Sequence, residues 1–251
     1  MKLSVQLYSL REAGDLDTQL AMARAAGFKW VESVASHGLP ADEFAAKVAA
    51  HGLRVSSMHV SLAMVEDDLQ TVIDTCHATD CRLAIMPWLP MGERPATAIG
   101  WQALGARLAK VGDKLNAEGL RLAYHNHEFE FLHYSGRTAL DWIFTTANVQ
   151  QLGWEADLGW VARAGLEPLA TVAPHADRLV AIHTKDIAEA GTAADEDGWC
   201  ALGQGTVPWA GLLADLQQRV SLFVLEHDKP KDHAVMLKTS YDFMHQHLIA
   251  N

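Results

Sequence analysis

Two hydrophobic periodicities alternate along this chain. Short apolar stretches such as residues 3–8 repeat every second position, a period typical of strands. Longer Ala-rich stretches such as residues 17–26 and 41–50 carry apolar side chains every three or four positions and end near glycine, as helices do. Because strand and helix patterns follow one another throughout, the sequence predicts parallel strands joined by helical crossovers.

The pattern predicts eight strands, each followed by a helix. The predicted strands are residues 3–8, 28–34, 53–60, 82–86, 120–126, 152–157, 179–185 and 220–227. The predicted helices are residues 17–26, 41–50, 65–78, 97–118, 139–147, 167–173, a helix that opens at Pro208, and residues 233–248. Residues 188–205 are the longest predicted irregular stretch.

This repeat predicts an α/β fold, a single-domain (β/α)8 TIM barrel spanning residues 1–251, because no linker or change of composition interrupts it. A doubly wound open sheet is the alternative. Such a sheet often carries a glycine-rich phosphate loop after its first strand. Here the first strand runs into Tyr8-Ser9-Leu10-Arg11, without those glycines, so the barrel is favoured.

Charge and cysteine content narrow the choice of partners. The formal net charge of −11 opposes binding to nucleic acid and to anionic membranes. The N-terminus opens into the first strand without a signal-peptide pattern, and no apolar run is long enough to span a bilayer. Three scattered cysteines argue against a disulfide scaffold and favour a reducing, cytoplasmic location.

Ionisable residues gather at the predicted strand ends, where barrel enzymes place their active sites. The fifth to eighth strands end in residues 125–130, 155–157, 183–186 and 226–228. Side chains two apart share a face of a strand, so His125, His183, Lys185 and Glu226 are predicted to point inward together. Asp157 joins them if the sixth strand turns it inward with Glu155; otherwise Glu155 faces the helices in a structural role.

The inward residues form a mixed nitrogen and oxygen ligand set. Such a set suits Mn²⁺, Co²⁺, Zn²⁺ or Fe²⁺ better than Ca²⁺ or Mg²⁺. Inward polar groups at consecutive strand ends are costly to bury without a shared partner, which favours metal binding. Open coordination positions would accept the adjacent hydroxyl and carbonyl oxygens that are typical of sugars. The predicted ligands are His125, Asp157, His183 and Glu226.

Other strand-end residues are open to two interpretations. Glu32 is interpreted as a surface residue that pairs with Lys29 or Arg54. Three further residues, one histidine and two tryptophans, are candidates for contact with the substrate. Alternatively, the histidine makes a structural hydrogen bond and the tryptophans pack in the core. The three residues are His59, Trp88 and Trp160.

Several segments resemble the sugar phosphate isomerase/epimerase family of the xylose isomerase-like barrel superfamily. They are residues 5–11 (VQLYSLR), 124–131 (YHNHEFEF), 157–161 (DLGWV), 183–186 (HTKD) and 202–207 (LGQGTV). The resemblance implies a (β/α)8 barrel, a divalent metal that is often Mn²⁺, and proton transfer on keto or aldo sugars.

The family's usual metal ligands are Glu, Asp, His and Glu from strands five to eight. The last three are matched by Asp157, His183 and Glu226. His125 stands where the first Glu is usual, so either His125 binds the metal or Glu128 or Glu130 reaches back from the loop. Glu130 also resembles the family's substrate-contacting acid.

The missing strand-five glutamate leaves the reaction open. Ketose epimerases of the family use glutamates of strands five and eight as acid and base, whereas relatives with the Tyr-His-Asn-His block act on 3-keto-glycosides, and another branch dehydrates inositol derivatives. All begin by removing a proton next to a carbonyl. The candidates for proton transfer or contact with substrate oxygens are Glu130, His127 and Lys185.

We therefore predict a metal-dependent sugar isomerase or epimerase with a small-molecule sugar substrate, no nucleic acid or membrane partner, and homo-oligomerisation left open. A lyase or dehydratase acting on a 3-keto-glycoside or keto-inositol is the first alternative. An apurinic endonuclease is less favoured because it needs a basic groove, which the net charge of −11 opposes. A non-catalytic sugar-binding barrel would bind no metal.

Overall fold

A computed structural model describes residues 1–248 and closes eight parallel strands into a barrel. The strands are β1 Lys2–Gln6, β2 Trp30–Val34, β3 Arg54–His59, β4 Leu83–Met86, β5 Arg121–His125, β6 Gly153–Asp157, β7 Leu179–Thr184 and β8 Leu222–Leu225. Each strand pairs with its sequence neighbours, and β1 pairs with both β2 and β8 to close the ring. The predicted (β/α)8 fold is confirmed.

The α-helices cover the outside of the barrel. They are α1 Leu16–Ala26, α2 Ala41–Ala50, α3 Leu62–Asp67, α4 Leu69–Ala78, α5 Ala98–Ala117, α6 Ala139–Phe144, α7 Leu158–Arg163, α8 Pro168–Val172, α9 Trp209–Leu216 and α10 His233–Leu248. The helix predicted over residues 65–78 is divided at Asp68, whose backbone is not helical. The sequence did not predict α7, which begins directly after β6 with Asp157 as its N-cap.

The loop after β7 is anchored by one carboxylate. Asp186 accepts hydrogen bonds from the backbone N–H groups of Gly203 at 2.9 Å, Gly205 at 3.0 Å and Val207 at 3.2 Å. A Cβ at Gly205 would lie 2.3 Å from Asp186 Oδ1, so this position requires glycine. The predicted irregular stretch 188–205 therefore folds back on β7, and Trp199–Cys200 pairs with Asp186–Ile187 as a short antiparallel ladder.

Apolar side chains fill the lower part of the barrel. They are Leu83, Ile85, Ala123, Ala181, Leu222 and Val224. The inward direction of Ala123 and Ala181 agrees with the predicted strand parity. A second, larger apolar layer lies between the strands and the helices. The lower interior of the barrel is thus mainly apolar, whereas the buried ionisable side chains of β5 to β7 lie at the C-terminal ends of these strands.

Two expectations from composition can be compared with the structure. The three cysteines are free thiols, which agrees with the expectation that no disulfide scaffold is present. Across residues 1–248, the structure contains no helix that is both long and apolar enough to cross a membrane.

Arg178 connects β6 to the end of α6. Its buried guanidinium donates to the carbonyl oxygens of Leu152 at 3.1 Å, Phe144 at 3.0 Å and Ala147 at 2.6 Å. We expect Arg178→Met to lower the free energy of unfolding by about 3 kcal/mol, because these carbonyls would lose a charged donor. Urea denaturation measures the change. Arg137→Met, at an exposed arginine, is the control, with a change within about 0.5 kcal/mol. Equal losses in both variants would contradict the expectation.

Candidate metal centre

A cavity of about 660 Å³ opens at the C-terminal end of the barrel. Its partly exposed apolar side chains, Tyr8, Val34 and Trp88, come from the ends of β1, β2 and β4. Two of its polar residues, His125 and Glu226, come from β5 and the end of β8. The most exposed apolar side chains of the cavity therefore come from the half of the rim built by β1 to β4, whereas the predicted ligands and the less exposed Trp160 come from the other half.

Four buried side chains converge beside this cavity. Asp157 Oδ2 lies 3.9 Å from both His125 Nε2 and His183 Nδ1, and Glu226 Oε2 lies 3.2 Å from His183 Nδ1. One ligand atom from each residue falls within 4.8 Å of the others, a spacing that could hold a metal ion. These are the four residues predicted from the strand ends.

The strand register explains this convergence. Asp157 of β6 is paired with His183 of β7, and His125 of β5 is paired with Glu155 of β6. An irregularity in the β6–β7 pairing between Trp154 and Glu155 shifts the register before the site is reached. As a result the C-terminal ends of β5, β6 and β7 lie at the same height in the barrel, and their inward side chains come close together.

Asn126, between the two histidines of the YHNH block, fixes the position of Asp157. Its side-chain Nδ2 donates to the Asp157 carbonyl at 3.1 Å, and its Oδ1 accepts from the Asp157 backbone N–H at 3.1 Å. Oδ1 also accepts from Trp154 Nε1 at 2.9 Å. Sequence reasoning gave Asn126 no role, although its place between His125 and His127 was a signal.

A second layer of carboxylates lies next to the histidines. Glu155 Oε2 is 3.1 Å from His125 Nδ1, 3.1 Å from His183 Nε2 and 3.0 Å from His59 Nε2. Glu32 Oε1 is 2.7 Å from His183 Nε2 and 2.9 Å from His59 Nε2. His125 and His183 therefore each face carboxylates on both ring nitrogens.

The interpretation of Glu32 as a surface residue paired with Lys29 or Arg54 is wrong. Glu32 has no solvent exposure and accepts hydrogen bonds from Gln6 Nε2 at 2.8 Å and Ser57 Oγ at 2.5 Å. Val31 packs in the outer core, so its neighbour Glu32 faces the barrel interior.

The suggestion that Glu155 faces the helices is also wrong. The carboxylate of Glu155 is fully buried and points into the barrel, among the histidines. Glu155 and Asp157 share the inward face of β6, so the strand contributes a carboxylate to each of the two layers.

The hydrogen-bond network favours a cation at the set formed by His125, Asp157, His183 and Glu226. If His125 Nδ1 and His183 Nε2 donate to the inner carboxylates, the opposite nitrogens present lone pairs toward Asp157. Asp157 Oδ2 is buried and has no hydrogen-bond partner within residues 1–248. Burial raises the pKa of Asp157 to about 7, since nearby cations do not fully compensate its charge. The donor set thus fits a divalent metal ion.

Lys185 is buried behind two of the carboxylates and does not line the cavity. Its Nζ lies 2.7 Å from Asp228 Oδ1, 2.9 Å from Glu226 Oε2 and 3.8 Å from Asp157 Oδ2. Although burial opposes the charge, these carboxylates raise the pKa of Lys185, so the side chain remains an ammonium. Its position suits charge compensation.

Glu130 does not line the cavity either. It accepts hydrogen bonds from Tyr124 Oη at 2.7 Å and from the His127 backbone N–H at 2.8 Å, and burial raises its pKa to about 8. The exposed Glu128 lines the cavity. Within residues 1–248, neither Glu128 nor Glu130 belongs to the four-residue set above or to the second group that could hold a metal, which consists of His59, His125, Glu155 and His183. His125 is therefore the strand-five member of the set.

The remaining candidates sit around the cavity. The His127 ring packs 5.1 Å from Trp88 and 5.2 Å from Trp160, measured between ring centroids. Burial lowers the pKa of His127 to about 3, so the ring is neutral, and its buried Nδ1 has no partner within the described chain. His59 also lines the cavity, held by Glu32 and Glu155.

A profile of the xylose isomerase-like TIM barrel family matches residues 20–247. The chain belongs to this family. A sugar phosphate isomerase/epimerase from Parabacteroides distasonis superposes with a TM-score of 0.82 at 15% identity, over 97% of this chain and 95% of that one. The IolI protein, whose crystal structure contains a bound zinc atom, gives a TM-score of 0.76 at 13% identity, over 99% and 98% of the two chains. At these identities the likeness concerns the fold.

A match to an inosose dehydratase from Lacticaseibacillus casei is more local. The two chains are 26% identical over 87 residues, which is 35% of this chain and 28% of the dehydratase. The chain spans under a third of the length of the curated relatives it matches. The proteins that this chain resembles therefore include a sugar phosphate isomerase/epimerase in fold and an inosose dehydratase over a short stretch of sequence.

Proposed function

We propose that this protein is a metal-dependent enzyme that removes a proton next to the carbonyl of a keto-sugar or related polyol, as an isomerase or epimerase. One observation carries the proposal: Asp157 Oδ2, buried and unpartnered, stands 3.9 Å from nitrogens of two histidines, beside a cavity large enough for a sugar. A buried carboxylate oxygen in this position needs a cation.

The metal would be held by His125, Asp157, His183 and Glu226. Two imidazoles and two carboxylates suit Mn²⁺, Zn²⁺, Co²⁺ or Fe²⁺, and the zinc of the IolI protein supports a first-row divalent ion. We expect Mn²⁺ first, as the resemblance to the sugar phosphate isomerase/epimerase family implies. When bound, the ion would polarise the carbonyl and stabilise the negative charge of an enolate. Elemental analysis of purified protein identifies it.

Residues around the metal set would bind and position the substrate. His127 is the one of the three predicted proton-transfer residues that lines the cavity, so we assign its neutral ring to direct contact with the substrate beside the metal set. Glu130 holds the backbone of His127, so we assign it a positioning role. Trp88, Trp160 and His59 line the cavity and provide surfaces and a polar contact for the sugar.

A lyase or dehydratase is the second candidate, supported by the local match to inosose dehydratase. Elimination begins with the same proton removal and then expels a group from the neighbouring carbon. The nuclease alternative is disfavoured, because Glu128, Asp197, Glu226 and Asp228 line the cavity and would repel a phosphate backbone.

Exchange of substrate protons with deuterated water tests the proposal. In a panel of ketoses, 3-keto-glycosides and keto-inositols, we expect the metal-loaded protein to exchange the proton next to the carbonyl of at least one compound. His127→Ala is expected to slow this exchange by about 10²–10⁴-fold, because the loss of a ring that lines the cavity removes a contact that positions the substrate for proton transfer. Mass spectrometry measures the exchange.

His77→Ala is the matched control, since His77 is exposed on α4 and far in sequence from the cavity residues. It should exchange at the wild-type rate. Bound sugar without exchange of any proton would identify a binding protein and contradict the enzymatic proposal. Unchanged exchange in His127→Ala would contradict the role of His127 alone.

A further inference from the structure

The opposite end of the barrel carries an unusual number of cations for a chain with a net charge of −11. Six of the eight strands begin at, or one residue after, a lysine or arginine. The residues are Lys2, Lys29, Arg54, Arg82, Arg121 and Arg178. Helix C-termini at this end favour basic residues, so the ring alone does not indicate a ligand.

An open cavity of about 540 Å³ lies within this basic face, between the starts of β4, β5, β7 and β8. Arg82, Arg121 and Arg219 line it together with the apolar side chains of Leu83 and Leu179. The cluster of apolar side chains that fills the lower part of the barrel includes Leu83 and lies between this cavity and the metal set. The two cavities are therefore separate sites.

The arginines of this cavity have little internal compensation. Arg121 Nη2 donates to the Val149 carbonyl at 3.0 Å, but its Nε is buried with no hydrogen-bond partner in residues 1–248. Within the same residues, no carboxylate lies within 4.0 Å of the Arg121 or Arg219 guanidinium, and Arg82 contacts only the exposed Asp80, at 3.4 Å. The general preference for basic residues near helix C-termini does not explain this arrangement, because the buried Nε of Arg121 has no hydrogen-bond partner in residues 1–248.

We propose that this lower cavity is a second binding site, for a small organic anion that carries a phosphate or carboxylate group on an apolar body. The guanidinium groups match such oxyanions in charge and in planar geometry. The leucine side chains of the cavity offer an apolar surface for the apolar part of the ligand. Neither the metal set nor the catalytic cavity takes part.

Calorimetric titration with phenyl phosphate, benzoate, inorganic phosphate and phenol tests this site. At low ionic strength we expect phenyl phosphate or benzoate to bind more tightly than inorganic phosphate, and phenol to bind weakest, because both the charge and the ring contribute. The better of the two aromatic anions identifies the preferred head group. Arg219→Ala is expected to weaken binding about tenfold, and Arg121→Gln by at least as much.

Arg54→Ala removes the same charge from the same face, outside this cavity, and should change the dissociation constant less than about twofold. Arg219 is exposed, so its variant is expected to fold normally, which circular dichroism checks. Three results would overturn the proposal: no binding of either aromatic anion up to about 10 mM, equal affinity in wild type and Arg219→Ala, or equal weakening by Arg54→Ala.

Discussion

Asp157→Asn is expected to fold like the wild type but to bind a divalent metal more than about 100-fold more weakly. Asp157 Oδ1 caps α7 by accepting the Trp160 backbone N–H at 2.8 Å, and asparagine caps helices equally well. At the same time Oδ2, the unpartnered oxygen facing the histidines, is replaced by an amide NH₂ that cannot ligate. Outer-shell partners of a metal account for about 10–100-fold in affinity, so a direct ligand should account for more.

Metal content by elemental analysis, a dissociation constant from chelator competition, and a thermal melt together separate the two roles of Asp157. Asp157→Ala should lose both the helix cap and the metal, and so melt lower than Asp157→Asn. Asp197→Asn is the matched control, because Asp197 lines the same cavity outside the ligand set and its carboxylate pairs with the exposed Lys229. Equal metal affinity in wild type and Asp157→Asn would refute the proposed centre.

Lys185→Met is expected to lower the free energy of unfolding of the metal-free protein by about 3–5 kcal/mol. Lys185 is 1% exposed and compensates Asp228 and Glu226 directly. Removal of one partner leaves buried carboxylates without a counter-charge, which is a costly defect. Methionine retains most of the apolar stem, so the change mainly reports the missing charge.

Lys229→Met provides the comparison, because Lys229 also pairs with an aspartate, Asp197, but at 3.4 Å on the surface. Solvent-exposed pairs contribute about 0–1 kcal/mol, so this variant should unfold almost like the wild type. Urea denaturation in the presence of a chelator measures both. If the two lysine variants lose similar stability, Lys185 does not serve as the internal counter-charge.

Much of the fold was predictable because each repeat carries its own local signals. A strand period followed by a helix period and a glycine stop needs no knowledge of distant contacts. The helix α7 was missed because Asp157 is both the last residue of β6 and the N-cap of α7. The sequence pattern indicated the strand end, but the capping hydrogen bond is visible only in the structure. The break between α3 and α4 was also not predicted, because it depends on the non-helical backbone of one residue, Asp68.

The metal set was predictable because strand parity and strand order together bring four side chains to one place. Parity did not decide which face of β2 turned inward, so Glu32 was placed on the surface. Its true partners, Gln6, Ser57, His59 and His183, come from three other strands. Glu130 and Lys185 were predicted as candidates for proton transfer or contact with substrate oxygens, but in the structure neither side chain lines the cavity.

The division of the rim into two halves has a consequence for how such enzymes diversify. The predicted ligands and His127 lie on β5, β6, β7 and the segments that follow, whereas Tyr8, Val34 and Trp88 lie on the earlier half. Substitutions of these three exposed side chains can alter what is recognised, whereas Glu32 of the same half contacts His183 and belongs to the histidine network. New specificities can thus be selected at a few exposed positions of the N-terminal half-barrel while the ligand set is retained.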